Sequence, residues 1–308
     1  MDPERERLLR AGTVIPAHPL ALDAERRLDE DRQRALTRYY LDAGAGGVAV
    51  AVHTTQFAIH EPTSGLYEPV LALAAEEAAA AREPVLRVAG VLGPTERAVR
   101  EAEVAAELGY DLALVAASSW GDADEDAILA GLAAVGEVLP LFGFYLQPAV
   151  GGRPFGYRFW RRLAELPALR AMKIAPFDRF ATLDVVRAVT DAGRDPDGDQ
   201  VALYTGNDDA IVVDLLTRYP GGTRMTGGLL GQFAVWTGAA VALHARIREI
   251  VTADAPIPQG LLAVAADLTD ANAAIFDAAH GFRGCIPGIH EVLVRDGVLA
   301  GRWCLDLG

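Results

Sequence analysis

Residues 169–176 read LRAMKIAP, an apolar run of strand length closed by a proline, with one lysine inside it. Side chains alternate across a strand, so Met172 and Ile174 share one face while Ala171 and Lys173 share the other. An ammonium among buried neighbours is costly, and burial lowers the pKa of a lysine. A neutral amine in a dry pocket attacks carbonyl carbon and forms a Schiff base. The plainer alternative is a strand-end lysine that snorkels to water or pairs with an acid.

The same unit repeats on both sides of this run. Strand-like segments fall at 12–16, 47–53, 84–90, 111–117, 139–145, 201–206 and near 223–229. Helical patterns fall between them at about 29–41, 66–82, 94–108, 124–136, 158–165, 179–192 and 209–218. In GVAVAVH, residues 47–53, Val48, Val50 and Val52 share one face; Gly47, Ala49 and Ala51 share the other. A face of small groups suits the limited room inside a barrel. Eight strands, each followed by a helix, predict an α/β chain whose residues 1–230 form a closed (β/α)8 TIM barrel. An open doubly wound sheet is the alternative. It wants a phosphate-type glycine loop after the first strand, and GTVIPAHP is not one. Further helical patterns at about 232–250, 258–280 and 288–294 predict a C-terminal helical extension, residues 231–308, of the same domain. The segment from Arg194 to Gln200, RDPDGDQ, reads as a polar loop.

Composition narrows the function classes. Of 308 residues, 51% are hydrophobic and 23% charged, a globular balance. A net charge of −14 argues against nucleic acid or an anionic membrane surface as partner. No run of about 18 apolar residues is present, so no membrane span is expected. The charged start, MDPERERLLR, lacks an apolar signal core, and the two cysteines, Cys285 and Cys304, fit no metal or disulfide framework. A cytoplasmic setting is the simplest expectation.

Barrel enzymes place their chemistry at the carboxyl ends of the strands. Those ends carry His53-Thr54-Thr55-Gln56, then Trp120, then Tyr145-Leu146-Gln147-Pro148, then Lys173, then Gly206-Asn207-Asp208-Asp209. Tyr145 is expected to point into the barrel mouth beside Lys173, a phenol to shuttle protons for an amine that carries a carbonyl substrate. His53 reads either as a satisfied core histidine or as a specificity residue. A metal site from His18, His53 and His60 has no carboxylate spacing to support it, so no metal is expected, and a metal-dependent hydrolase ranks last. Asp208 and Asp209 read as a helix N-cap and a first-turn acid.

With these pieces in order, the chain resembles the dihydrodipicolinate synthase and N-acetylneuraminate lyase superfamily of class I, Schiff-base-forming enzymes. The resemblance rests on GAGGVAVAVHTT, the Tyr145–Pro148 segment, Lys173 and the Gly206–Asp209 segment. It implies a lyase, a Schiff-base aldolase acting on pyruvate or a related 2-oxo acid, working without a cofactor as a homodimer or homotetramer. It implies that Lys173 forms the imine, Tyr145 relays protons, Thr54 and Thr55 hold the substrate carboxylate, and Gly206 lines the pocket through its backbone. His53 stands where the family has glycine, Trp120 where the synthases have tyrosine, and Val150 where they have arginine, with Arg153 nearby. Lys173, Tyr145 and Thr54 are therefore the candidate catalytic residues, and Thr55, Gly206, His53, Trp120 and Arg153 the candidate binding residues. A 4-hydroxy-tetrahydrodipicolinate synthase proper and a catalytically lapsed barrel that binds a 2-oxo acid are the alternatives.

Overall fold

The computed structural model describes residues 1–194 and 199–306. Part of the expected polar loop, 195–198, lies outside the described residues. The strands are β1 (Val14–Pro16), β2 (Gly47–Val50), β3 (Leu86–Val91), β4 (Leu112–Ala116), β5 (Leu141–Leu146), β6 (Leu169–Ala175), β7 (Ala202–Thr205) and β8 (Met225–Leu230). Strands β2 to β8 pair in parallel with their sequence neighbours, and β1 pairs in parallel with β8. A parallel bridge between Ala17 and Ala49, with the His18 N–H donating to the Ala49 carbonyl at 2.8 Å, joins β1 to β2 and closes the cylinder. The chain is a (β/α)8 barrel, and the open sheet is excluded.

The helices are α1 (Pro3–Ala11), α2 (Glu30–Asp42), α3 (Tyr67–Ala79), α4 (Thr95–Glu107), α5 (Glu125–Gly136), α6 (Tyr157–Ala164), α7 (Arg179–Asp191), α8 (Ile211–Leu216), α9 (Thr237–Thr252), α10 (Gln259–Ile275) and α11 (Cys285–Arg295). Aspartates start several of them: Asp29, Asp124 and Asp178 each accept a backbone N–H of the first turn, which otherwise has no partner. The long helical pattern at 258–280 stops at Ile275, because Asp277 takes a left-handed backbone at φ 55°.

Alternation sorts the strand residues into two cores. Ala49, Val88, Leu114, Phe142, Phe144 and Ala171 fill the barrel interior. Val48, Val50, Val115, Tyr145, Met172 and Ile174 face the helices. Helix α1 closes the amino-terminal end: Leu8 and Leu9 join the interior cluster, and the Tyr204 hydroxyl donates to the Leu9 carbonyl at 2.8 Å. The other end stays open. There α10 and α11 lean over the strand ends, and the segment after α11 is held down by Arg26, which donates to the Cys304 carbonyl at 2.6 Å. Gln56 helps, its Oε1 accepting the Leu305 N–H at 2.7 Å.

The strand expected to run to residue 53 ends at Val50. Ala51 adopts φ 60°, which reverses the in–out count, so Val52 turns into the barrel interior instead of joining Val48 and Val50 outside. Residues 53–55 then form a tight 3-10 turn that carries His53, Thr54 and Thr55 across the mouth.

Candidate active site

Strand β6 places Lys173 inside the cylinder, in register with Phe144 of β5 and Tyr204 of β7. Only 7% of Lys173 is exposed, and its Nζ stands 4.1 Å from the centre of the Phe144 ring. Among the described residues no hydrogen bond or ion pair reaches that nitrogen. Burial pushes the ammonium below its ordinary pKa, and the charge of Asp208 pulls the other way.

The lysine fits because its neighbours are small. Ala171 and Ala175 flank it on β6, and Gly206 follows β7. A Cβ added at Gly206 would stand 2.7 Å from both the Ala175 Cβ and the Lys173 Cε, so a hydrogen is what this position accommodates. The Lys173 cavity holds about 50 Å³ and is lined also by Val52, His53, Thr54, Asp208 and Cys285. A wider cavity of about 710 Å³ shares His53 and Val150 with it, and Arg26, Arg283 and Arg302 line that outer space.

The Asp208 Oδ1 accepts the Gln232 N–H at 3.1 Å, and its carbonyl accepts from Asn272 Nδ2 at 2.7 Å. Burial raises its carboxyl above the usual carboxylate range, against the pull of the Gln232 N–H and the Lys173 charge. Burial pushes His53 down to about 4, with the Lys173 charge adding to the effect, so its imidazole is neutral at ordinary pH. Burial pushes the Cys285 thiol up to about 12, which makes it a poor nucleophile.

No protein-family model matches the sequence, and no curated protein does. Solved structures match over nearly the whole chain. One is YagE, a prophage protein of the dihydrodipicolinic acid synthase family from E. coli K12, in complex with pyruvate. It has TM-score 0.77 and 18% identity over 96% of this chain and 92% of that one. The dihydrodipicolinate synthase of Bacteroides thetaiotaomicron gives TM-score 0.77 and 16% identity over 97% and 93%. The N-acetylneuraminate lyase of Mycoplasma synoviae gives 0.73 and 16% over 97% and 92%. The chain has the fold of the dihydrodipicolinate synthase and N-acetylneuraminate lyase superfamily.

On this superfamily fold the residues singled out from sequence divide into two groups. Lys173, Thr54, His53 and Gly206 converge on one cavity. Tyr145 does not, which corrects its expected direction. In a parallel sheet, paired residues point the same way, and the partner of Lys173 is Phe144 while that of Tyr145 is Ile174. Tyr145 therefore faces the helices and packs against Trp160 of α6, the rings tilted by 38° with centroids 4.6 Å apart.

Three binding candidates are also placed elsewhere. The Thr55 hydroxyl lies outside the cavity: it donates to the His18 carbonyl at 2.6 Å and accepts the Val52 N–H at 3.2 Å. Trp120 turns toward α4, its Nε1 donating to Thr95 Oγ1 at 3.0 Å. Arg153 donates to the Gly121 and Ala123 carbonyls at 3.1 and 2.8 Å and lies over Phe155, bracing the loop before α5. The conceivable histidine triad does not assemble either. His18 bonds Thr37 and Pro19, while His60 bonds the Ala51 carbonyl and faces Glu101.

Asp208 is the residue that sequence reading misassigned. The N-cap position of α8 is Ala210 and carries no side-chain cap, so the Asp208 carboxylate is left for the cavity. Its place two residues past Gly206, at the carboxyl end of β7, was the available signal. Among the described residues no helix is long and apolar enough to cross a membrane.

Proposed function

We propose that this protein is a lyase, a Schiff-base aldolase that acts on pyruvate or a related 2-oxo acid through an imine at Lys173. The observation that carries the reading is the buried, unpaired Lys173 amine in a socket of alanines and glycine at the carboxyl end of β6. Such an amine loses its proton more readily than a solvated lysine and attacks a carbonyl carbon as a free base. The Thr54 hydroxyl and the backbone at Gly206 line the same cavity and supply polar groups for a small carboxylate. The wider outer cavity with its arginines suits the second, larger reactant. The pyruvate in the YagE complex supports the choice of oxo acid. We place the enzyme in the cytoplasm as a homodimer or homotetramer, the resemblance being the support for the assembly.

The test is to incubate the protein with pyruvate and borohydride and to map the adduct by peptide mass spectrometry. A reduced adduct on Lys173, absent in Lys173→Met, is expected. No adduct with any of several 2-oxo acids refutes the mechanism. A barrel that binds the acid without turning it over is the second reading, favoured by Phe144 where a phenol was expected. It predicts a trapped imine but no exchange of pyruvate methyl protons in deuterated water.

A further inference from the structure

Imine chemistry needs a proton donor and acceptor beside the nitrogen, and the expected phenol is turned away. Phe144, which has no ionisable group, fills the place facing Lys173. Among the described residues lining the cavity, the other groups able to exchange a proton are His53, Thr54, Asp208 and Cys285. A threonine hydroxyl stays protonated, and Cys285 holds its proton to about 12. His53 is neutral above about 4, which leaves it a weak base.

Resting on the Lys173 imine reading, we infer that Asp208 is the catalytic residue that moves the protons of the imine, in the absence of a phenol. The geometry is specific. One carboxylate oxygen is fixed by the Gln232 N–H and the residue's own carbonyl by Asn272, so the side chain is aimed from two sides. The second oxygen, Oδ2, has no hydrogen bond among the described residues. Asp208 and Lys173 line the same cavity of about 50 Å³ and form no ion pair within 4.0 Å, so neither charge is tied up by the other. Burial raises its carboxyl toward neutrality, the range in which one group both gives and takes a proton.

The steps balance as follows. The neutral Lys173 amine adds to the carbonyl carbon of the oxo acid; a C–N bond forms and the amine proton passes to oxygen, giving a carbinolamine. The Asp208 carboxylic acid protonates that hydroxyl, the C–O bond breaks, water leaves and an iminium faces an Asp208 carboxylate. The carboxylate then removes a proton from the adjacent methyl group, and the C–H electron pair flows toward nitrogen to give an enamine. In deuterated water the reverse of this last step writes deuterium into the methyl group.

The experiment compares wild type, Asp208→Asn and Asp208→Ala for borohydride trapping of pyruvate and for methyl proton exchange by NMR. Expected is an adduct on Lys173 in all three, formed more slowly in the two variants because dehydration of the carbinolamine loses its acid, with exchange slowed about 100-fold or more in Asp208→Asn. Added formate should restore exchange in Asp208→Ala, a readout that a merely structural role would not move. Should Asp208→Asn fail to fold, Asp208→Glu keeps the carboxyl, and complete loss of its exchange in a folded, trapping protein refutes the inference. Exchange by Asp208→Asn within about threefold of wild type overturns it while leaving the imine intact. Trapping without exchange in wild type does the same. No trapping in wild type removes both readings at once.

Discussion

The carboxylate of Asp214, on α8, offers the sharpest test of how the site is held. It is fully buried and accepts four hydrogen bonds: from Thr205 Oγ1 at 2.7 Å, Asn207 Nδ2 at 2.9 Å, the Tyr219 hydroxyl at 2.7 Å and Arg179 Nη1 at 2.5 Å. Thr205 and Asn207 flank Gly206, so this one group fixes the strand end that faces Lys173. Replacing it in Asp214→Asn leaves one acceptor oxygen and turns an N–H2 group toward the other pair of donors. Two bonds to a charged acceptor are lost, each worth about 1.5–3 kcal/mol. The Arg179 side chain is 43% exposed and rehydrates when released, so the lower end applies and the total is about 3 kcal/mol. Equilibrium urea unfolding of wild type and variant reads this directly, with Thr205→Val for comparison, which removes one donor to the same carboxylate and the acceptor of the Asn207 N–H and loses about 1.5–3 kcal/mol. Trapping of pyruvate at Lys173 should also slow, because the loop carrying Gly206 loses its tether. A loss below about 1 kcal/mol in Asp214→Asn would refute the view that the four donors depend on this charge.

Three more outcomes are expected. Gly206→Ala drives a methyl group against Ala175 and Lys173; it should destabilise by about 1–3 kcal/mol and slow borohydride trapping at least tenfold, both measurable on the purified variant. Tyr145→Phe removes a hydroxyl that faces the helix layer, so trapping and methyl exchange should stay within about twofold of wild type; a hundredfold loss would put the phenol back in the cavity. His18 is buried, and burial lowers its pKa from 6.5 to about 4. Below 6.5 the unfolded chain takes up a proton that the folded chain resists, so this stability is complete above 6.5 and is lost as pH falls to about 4. The stability difference between wild type and His18→Gln in urea should therefore shrink by about 3 kcal/mol between pH 7 and pH 4.

Much of the barrel was legible because its signals are periodic. The alternation in LRAMKIAP put Met172 and Ile174 on one face and Ala171 and Lys173 on the other, as observed, and the small face of Ala49 did face the interior. The in–out sense of β5 was not legible. All six of its residues are buried, so nothing polar marks which face meets the cavity, and only pairing with Lys173 decides between Phe144 and Tyr145. Val52 was misplaced for a different reason: an alanine with a left-handed backbone reverses the count, and nothing in its side chain announces that. Trp120 and Arg153 sit in turns beyond the strand ends, where backbone direction follows local geometry rather than period. Asp208 was hidden by chemistry that fits a helix cap equally well.

The short helix ahead of the first strand has a role that its place in the sequence conceals. Through Leu8, Leu9 and the Tyr204 hydroxyl it stoppers the cylinder at the end remote from the Lys173 cavity. Tyr204 in turn stands laterally beside Lys173. Trimming those first residues would wet the underside of the packed interior and take from the Tyr204 hydroxyl its acceptor. The strand beside Lys173 is thus supported from below, by a plug at the far end of the cylinder.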